Sequence, residues 1–560
     1  MIWFLLAWSA QALTIARPNF GLPEFAEPGG VIHVEVKNAA GLDPGLWSAV
    51  LLNDLRSWTA TVELAEYGTL VDNNTTAGYR LTVRLPADLP PEVHKLTVSH
   101  ALGGSATNKN AVGIVSSFET DFYILHYADP QAESATASDP VTGMYGNHGS
   151  LQEAAWHAPV IRLANPRFLF DTGDELDNKL GNATSYEQYK DAMCGTGVPV
   201  LVTRGNNDST VTAAVWRSIF GVESYSITMG SFYVCQKDYL ENNYSTWFLS
   251  DYAASFANPA IKYRLFGQHY NSGGATWLPS AGQYPNLMLV GHGHVNSTLQ
   301  SSPYPILETQ QACNKCAVGF YNFHRTATGW TCTSIGSQWF QMMSSGATAK
   351  LQCQFYSPND GTATENSAAI TNSLAANFYD GRVRFLMRNA ALGYQVTGGQ
   401  ILSSYTYNSE TNMAVDVKVD IPASGSAAVS ISKADADDDG LPDSWETAFF
   451  GSTDHPQGAP GADWDHDGQD NLREYLAGTS PTDPSSVFRI TNATLGTGGS
   501  LVLQWQSVTG KVYRIQHADD PGSEFEDTGD EALAGTGGTL TKSVDLGAGR
   551  RGFFRVRIVP

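Results

Sequence analysis

Positive charge is scarce in this chain. Lys and Arg number 33 against 55 Asp and Glu, a formal net charge of -22, which argues against a nucleic-acid duplex or an anionic membrane surface as partner. Long apolar runs are lacking as well. Beyond the first dozen residues no stretch reaches the ~20 apolar residues that a membrane span needs, so no transmembrane segment is expected. Cysteine is sparse, six in 560 residues. Cys313-x-x-Cys316 has a zinc-like spacing, but no second Cys-x-x-Cys follows to complete a structural site.

What is present is informative. Met1-Ile-Trp-Phe-Leu-Leu-Ala-Trp-Ser-Ala-Gln-Ala12 is apolar and ends in Ala-x-Ala, which reads as a secretory signal peptide over residues 1–12. The expected location is therefore secreted, periplasmic or cell-surface. An even number of cysteines suits disulfides in such a compartment. Sequence does not fix the pairing of six; the expectation is Cys194 with Cys235 and the other four among themselves.

Five short apolar runs end in polar groups, in order along the chain. They are Tyr123-Ile-Leu-His-Tyr-Ala-Asp129-Pro-Gln131, Phe168-Leu-Phe-Asp-Thr-Gly-Asp174, Val200-Leu-Val-Thr-Arg-Gly-Asn206-Asn207-Asp208, Arg264-Leu-Phe-Gly-Gln-His269 and Leu287-Met-Leu-Val-Gly-His292-Gly-His294. Each reads as a buried strand that delivers ligands at its C-terminal edge, where open α/β sheets bind. Carboxylate, amide and imidazole groups gathered this way describe a site for two metal ions.

This set, Asp-x-Gln, Gly-Asp-x-x-Asp, Gly-Asn-Asn-Asp, His and Gly-His-Gly-His, resembles the calcineurin-like metallophosphoesterase superfamily over about residues 119–335. The resemblance implies two packed sheets flanked by helices, and two divalent transition-metal ions such as Mn, Fe or Zn. One ion would be held by Asp129, Gln131, Asp174 and His294, the other by Asp174, Asn206, His269 and His292. It further implies a phosphoester substrate, attack by a metal-bridging hydroxide, and catalytic roles for Asp174, Asn207, Asp208 and His269. Asp177 lies past the bridging acid and is expected to orient the loop. Two positions depart from the family pattern. Gln131 and Asn207 each stand where it usually has His. An amide at 207 cannot give up a proton, which tips the expected substrate from monoesters towards phosphodiesters. The same two changes also fit a degenerate relative that keeps metals and acts as a non-catalytic surface or binding protein. Tyr145-Gly-Asn147-His148-Gly imitates the third motif but has no preceding strand. His126 is expected to pack in the core.

The remainder divides by pattern. Residues 13–118 alternate in short runs, as in Val31–Val36 and Tyr79–Leu85, and predict a β-sandwich; purple acid phosphatases place one ahead of the catalytic domain. Residues 119–345 form the predicted catalytic domain, with 139–160 and 240–285 as substrate walls. Residues 346–432 return to strands, as a second sandwich or an extension of the catalytic domain. Residues 433–485 hold thirteen acids against Lys433 and Arg473. Asp435, Asp437, Asp439, Asp443 and Glu446 stand at positions 1, 3, 5, 9 and 12 of a calcium loop, with Gly440 at 6. Asp463, Asp465, Asp467, Asn471 and Glu474 repeat the arrangement with Gly468, so Ca²⁺ is expected in both. Residues 486–560 predict a small C-terminal β-sandwich, read first as a structural accessory module, with carbohydrate or cell-surface contact as the alternative. The fold class that follows is multidomain: a central α/β two-sheet sandwich, terminal β-sandwich domains and a short calcium-repeat segment.

Overall fold

A computed structural model describes residues 12–559 except 71–75, 134–148, 177–181, 239–245, 271–281, 311, 313–315, 334–338, 345–347, 497–498, 521, 530 and 546–551. The expected signal peptide, Asp177, Cys313 and the Tyr145–Gly149 imitation of the third motif thus fall wholly or mostly outside the described residues. The chain forms two compact units, one running to Asn389 and resuming over Val396–Ile431, the other comprising Ala390–Gln395 and Ser432 onward.

The first unit opens with an eight-stranded sheet, its long strand Ser57–Thr69 pairing with Ala77–Arg84 along one part and with Trp47–Leu52 along another. Alternation decides which side chains enter the core. In Val31–Lys37, Ile32, Val34 and Val36 are buried while His33 faces water, as a half-buried strand requires.

Two six-stranded sheets follow. In the first, Phe122–Tyr127, Leu169–Asp171 and Val200–Val202 run parallel, and Ala317–Thr326 lies antiparallel beside Phe122–Tyr127. In the second, Phe232–Lys237, Tyr263–Gln268, Leu287–Val290 and Ile306–Glu308 are parallel neighbours. These strands are buried along nearly their whole length, which is why they read as continuous apolar runs. Phe122, Ile124, Phe170 and Leu201 of one sheet share a core with Val234, Leu265, Leu289 and Leu307 of the other.

Helices cover the outer faces. Thr246–Ala257 sets Phe248 and Tyr252 against Phe266 and Met288 of the second sheet. Leu151–Ala164 meets the first, where His157 Nδ1 lies 2.9 Å from the Tyr127 hydroxyl. The two stretches expected as substrate walls are therefore, in their described parts, largely helix and strand packed on the sheets. Their apolar content serves the core.

The expected Cys194–Cys235 disulfide does not form. Cys194 and Cys235 are both free thiols. Cys194 ends the helix Ala183–Cys194, where its carbonyl accepts a bond from Asn110 Nδ2 at 3.2 Å. Cys235 sits mid-strand under Phe248 and Tyr252, on the far face of the second sheet. The two-sheet core separates them, and a disulfide needs Cα atoms within about 7 Å.

The first unit closes with the sheet Phe378–Arg388, Asn412–Ile421 and Gln400–Tyr407. It is tied to the eight-stranded sheet twice over. Tyr405 and Ala414 share that sheet's core, and Glu92 pairs with Arg382 at 3.1 Å and Arg384 at 2.7 Å. Both arginines also grip the buried Asp416 at 2.6 and 2.8 Å.

In the second unit each acidic loop leads into a short helix, Asp443–Phe450 and Asn471–Ala477. Two small sheets then enclose Leu503, Trp505, Tyr513, Ile515 and Val544.

Candidate metal centre

The five strand endings meet. Asp129, Asp174 and His269 are each at most 1% exposed, and a ligand atom of each lies within 4.8 Å of the others. His269 Nε2 stands 3.3 Å from Asp174 Oδ2 and 3.8 Å from Asp129 Oδ1. His294 Nε2 lies 3.2 Å from Asp129 Oδ1. The Gln131 amide reaches both Asp174 and His294 at 3.3 Å. Asn206 Oδ1 faces His269 Nε2 at 3.0 Å and His292 Nδ1 at 2.8 Å. All seven predicted metal ligands therefore belong to one cluster, drawn from both sheets.

Backbone conformation marks the same residues. Asp129, Gln131, Asp174, His292 and His294 all have positive φ, between 41° and 74°. Side-chain-bearing residues avoid this region at a cost on the order of 1 kcal/mol each, and such strain concentrates at functional sites. The turns turn the chain back sharply at the strand ends, so that neighbouring side chains converge. Two glycines make the close approach feasible. A Cβ at Gly205 would lie 2.1 Å from Asp174 Oδ1, and one at Gly293 would lie 1.9 Å from Glu308 Oε1.

A second tier of groups aims the first. His269 Nδ1–H donates to the Thr172 carbonyl at 2.8 Å, which leaves Nε2 pointing at the acids. The His292 amide donates to Asp129 Oδ2, and the Asn207 amide to Asp174 Oδ1, both at 2.8 Å. Asp208 is fully buried. It accepts the amides of Asp174 and Gly205 at 2.8 Å and the Tyr186 hydroxyl at 2.7 Å. Its oxygens are thus spent on the fold of the loop and do not reach the open face.

The electrostatics follow from burial and pairing. Burial alone would lower the pKa of His269, but Asp129 and Asp174 outweigh it and raise it to about 9. Asp174 is correspondingly lowered, burial being overcome by its bonds to His269. His292 is lowered by desolvation and by repulsion from His269. His126, as expected, is a core residue: it is buried, its Nε2 lies 3.0 Å from the Thr172 hydroxyl, and burial drops its pKa to about 3.

Three residues of this tier escaped the sequence reading. Thr172 supplies a carbonyl, which carries no side-chain signal. Tyr186 lies on the helix Ala183–Cys194, far from its partner in sequence. Glu308 was legible: Ile306-Leu-Glu308 is a sixth apolar run with a polar end, and its last residue pairs with Val290 in register. Its buried carboxylate accepts from Ser297 Oγ at 3.0 Å beside the Gly291–His294 turn.

In the second unit, Asp435, Asp437 and Asp439 form one carboxylate cluster and Asp463, Asp465 and Asp467 another. Gly440 and Gly468 turn with φ of 99° and 93°. Glu446 is buried with neither carboxylate oxygen hydrogen-bonded among the described residues, and Asn471 Oδ1 is in the same condition. Burial, followed by repulsion from the neighbouring aspartates, raises Glu446 and Glu474 to about 7.

No protein-family profile matches the chain, and no curated protein matches it. Among solved structures it is similar to a purple acid phosphatase from yellow lupin (Lupinus luteus) seeds, at 13% identity over 56% of this chain and 71% of that one, with a TM-score of 0.32. It is similar to a dimetal phosphatase from Danio rerio at 10% identity over 38% of this chain and 98% of that one, TM-score 0.26. A putative 5'-nucleotidase from Staphylococcus aureus shares 11% identity over 38% of this chain and 53% of that one, TM-score 0.26.

Proposed function

We propose that this protein is a dinuclear-metal phosphohydrolase. The observation that carries the reading is the convergence of seven ligand-type side chains from five strand ends on Asp174. The donor set fits two divalent ions: two carboxylates, three imidazoles and two amides, with the central acids Asp129 and Asp174 buried. Asp129, Gln131, Asp174 and His294 would hold one ion; Asp174, Asn206, His269 and His292 would hold the other. When bound, such ions lower the pKa of an attacking water and neutralise phosphoryl oxygens.

The chain's own groups do the positioning. Thr172 fixes the His269 tautomer, the His292 and Asn207 amides orient the two acids, and Asp208 locks the turn that carries Asp174. Asn207, partly exposed beside Asp174, can donate a hydrogen bond to a bound phosphoryl group but no proton. That supports phosphodiesters, or other esters with good leaving groups, as substrates. The test is metal analysis together with hydrolysis of a chromogenic phosphodiester. Asp174→Asn should lose bound metal and turnover together. If it keeps two metals per chain and near wild-type turnover, the assignment is wrong.

The acidic loops support a calcium-bound spacer. The oxygens of Glu446 and Asn471 that find no donor among the described residues are what a hard cation would coordinate. Calcium loops of this kind fill where calcium is abundant, which supports a location outside the cytoplasm.

A further inference from the structure

Away from the metal centre, a cavity of about 120 Å³ opens where three parts of the first unit meet. The N-terminal sandwich contributes Asn53, Glu92 and Lys95, the central domain Arg162, and the strand Phe378–Arg388 contributes Arg382 and Arg384. The carboxylates near it are already committed. Glu92 and Asp416 are shared between Arg382 and Arg384, and Asp54 pairs with Lys95 at 2.7 Å.

Arg162 is the cation left over. It is exposed at the cavity, and among the described residues its one hydrogen bond is from Nη2 to the Gly195 carbonyl at 2.7 Å. Its Nε and Nη1 groups, and Nη1 of Arg384, make no hydrogen bond among the described residues. Desolvation first, then repulsion from Arg384, lowers the Arg162 pKa. Four cations thus surround the cavity against three acids, and the fork of one guanidinium is unfilled.

We propose that this cavity binds a small tetrahedral oxyanion, with inorganic phosphate as the simplest member, and that Arg162 is its principal ligand. A guanidinium fork matches two oxygens of such an anion, and charge-assisted bonds of this kind are the strong ones. The anion would also answer the repulsion between Arg162 and Arg384. It would touch all three parts of the unit at once, so its binding must stabilise their junction by mass action. None of this depends on the metal centre or on the proposed activity.

Calorimetric titration of inorganic phosphate into the full-length chain, stripped of transition metals and returned to calcium, tests the proposal. One phosphate should bind per chain, and phosphate should raise the melting temperature. Arg162→Gln should fold normally, because the side chain is exposed, and should melt like wild type without phosphate. It should weaken phosphate binding about tenfold or more, the equivalent of one lost charge-assisted contact. Arg162→Lys, which keeps charge without the fork, should fall between. Asp174→Asn should bind phosphate like wild type. Absence of binding to wild type, equal binding to Arg162→Gln, or loss of binding in Asp174→Asn would each overturn the proposal; the last would place the phosphate at the metal centre.

Discussion

Asp208 Oδ2 accepts the backbone N–H of Asp174 at 2.8 Å, although the two residues lie on separate strand-ending loops. The same oxygen takes the Gly205 amide, and Oδ1 takes the Tyr186 hydroxyl. One buried carboxylate therefore pins the left-handed turn at Asp174 to the loop that carries Asn206 and Asn207.

Asp208→Ala should for that reason act on assembly. It leaves three buried donors without an acceptor, each worth about 1–3 kcal/mol. The expected cost is at least 3 kcal/mol in stability, together with loss of metal. Asp208→Asn keeps one acceptor and should fall between. Metal content and urea unfolding of the purified variants check this. An Asp208→Ala chain that stays as stable as wild type and keeps its metal, but loses turnover, would instead make Asp208 a residue that acts on substrate.

Calcium should act on stability and leave the chemistry alone. Glu446 and Glu474, raised to about 7, are costly to ionise in the folded unit without a cation. A carboxyl whose folded pKa lies above its unfolded value binds more protons when folded, so stability falls as pH rises between the two. Calcium-free protein should accordingly lose stability in the unit beginning at Ser432 as pH climbs from about 4 to 7. Added calcium should restore it, less effectively at pH 5.5 than at 7.5. Calorimetry at several pH values with and without EGTA reads this out. A kcat that follows calcium would sink the separation.

Acid should loosen the first unit at a different place. Burial would raise Asp416, but Arg382 and Arg384 hold it well below the usual carboxylate range, and they hold Glu92 down as well. For depressed carboxylates the stabilisation is full above the unfolded pKa and is lost as pH falls below about 4. Asp416→Asn leaves two arginines, one of them buried, to share Glu92 alone, and should cost about 3 kcal/mol at pH 7. It should also flatten the acid limb of the urea midpoint against pH. A variant curve parallel to wild type down to pH 3 would put the acid lability elsewhere.

The convergence of Asp129, Asp174 and His269 was legible because apolar runs show where strands end, and polar residues that close neighbouring strands come together at one edge. Two things stayed hidden. The first is conformation: nothing in Asp129-Pro-Gln131 announces two left-handed residues. The second is any partnership made across the fold. Tyr186 finds Asp208, and Glu92 finds Arg382, over separations that periodicity does not span. The cysteines failed for the same reason. Their even number suggests pairing, while a two-sheet core keeps Cys194 and Cys235 on opposite sides.

Asn207 gives the sharpest test of the chemistry. Its amide N–H is spent on Asp174 Oδ1, and its side-chain oxygen accepts from Asn206 Nδ2 at 3.1 Å. What remains for a substrate is a neutral amide donor. His126, the nearest alternative by sequence, is excluded as a proton source: it is buried, bonded to Thr172 and held neutral, with a pKa of about 3. General-acid help is worth about 10²–10⁴-fold and matters most for poor leaving groups. Without it, the leaving oxygen must depart as an anion, so rates should fall steeply as the leaving-group pKa rises. A series of aryl and alkyl phosphodiesters should show that slope in wild type. Asn207→His should flatten it, with the largest gain on alkyl esters and little on nitrophenyl esters. The gain should disappear at high pH, where an introduced histidine is neutral. A flat wild-type series would mean that another group supplies the proton, and that the substrate need not be chosen for its leaving group.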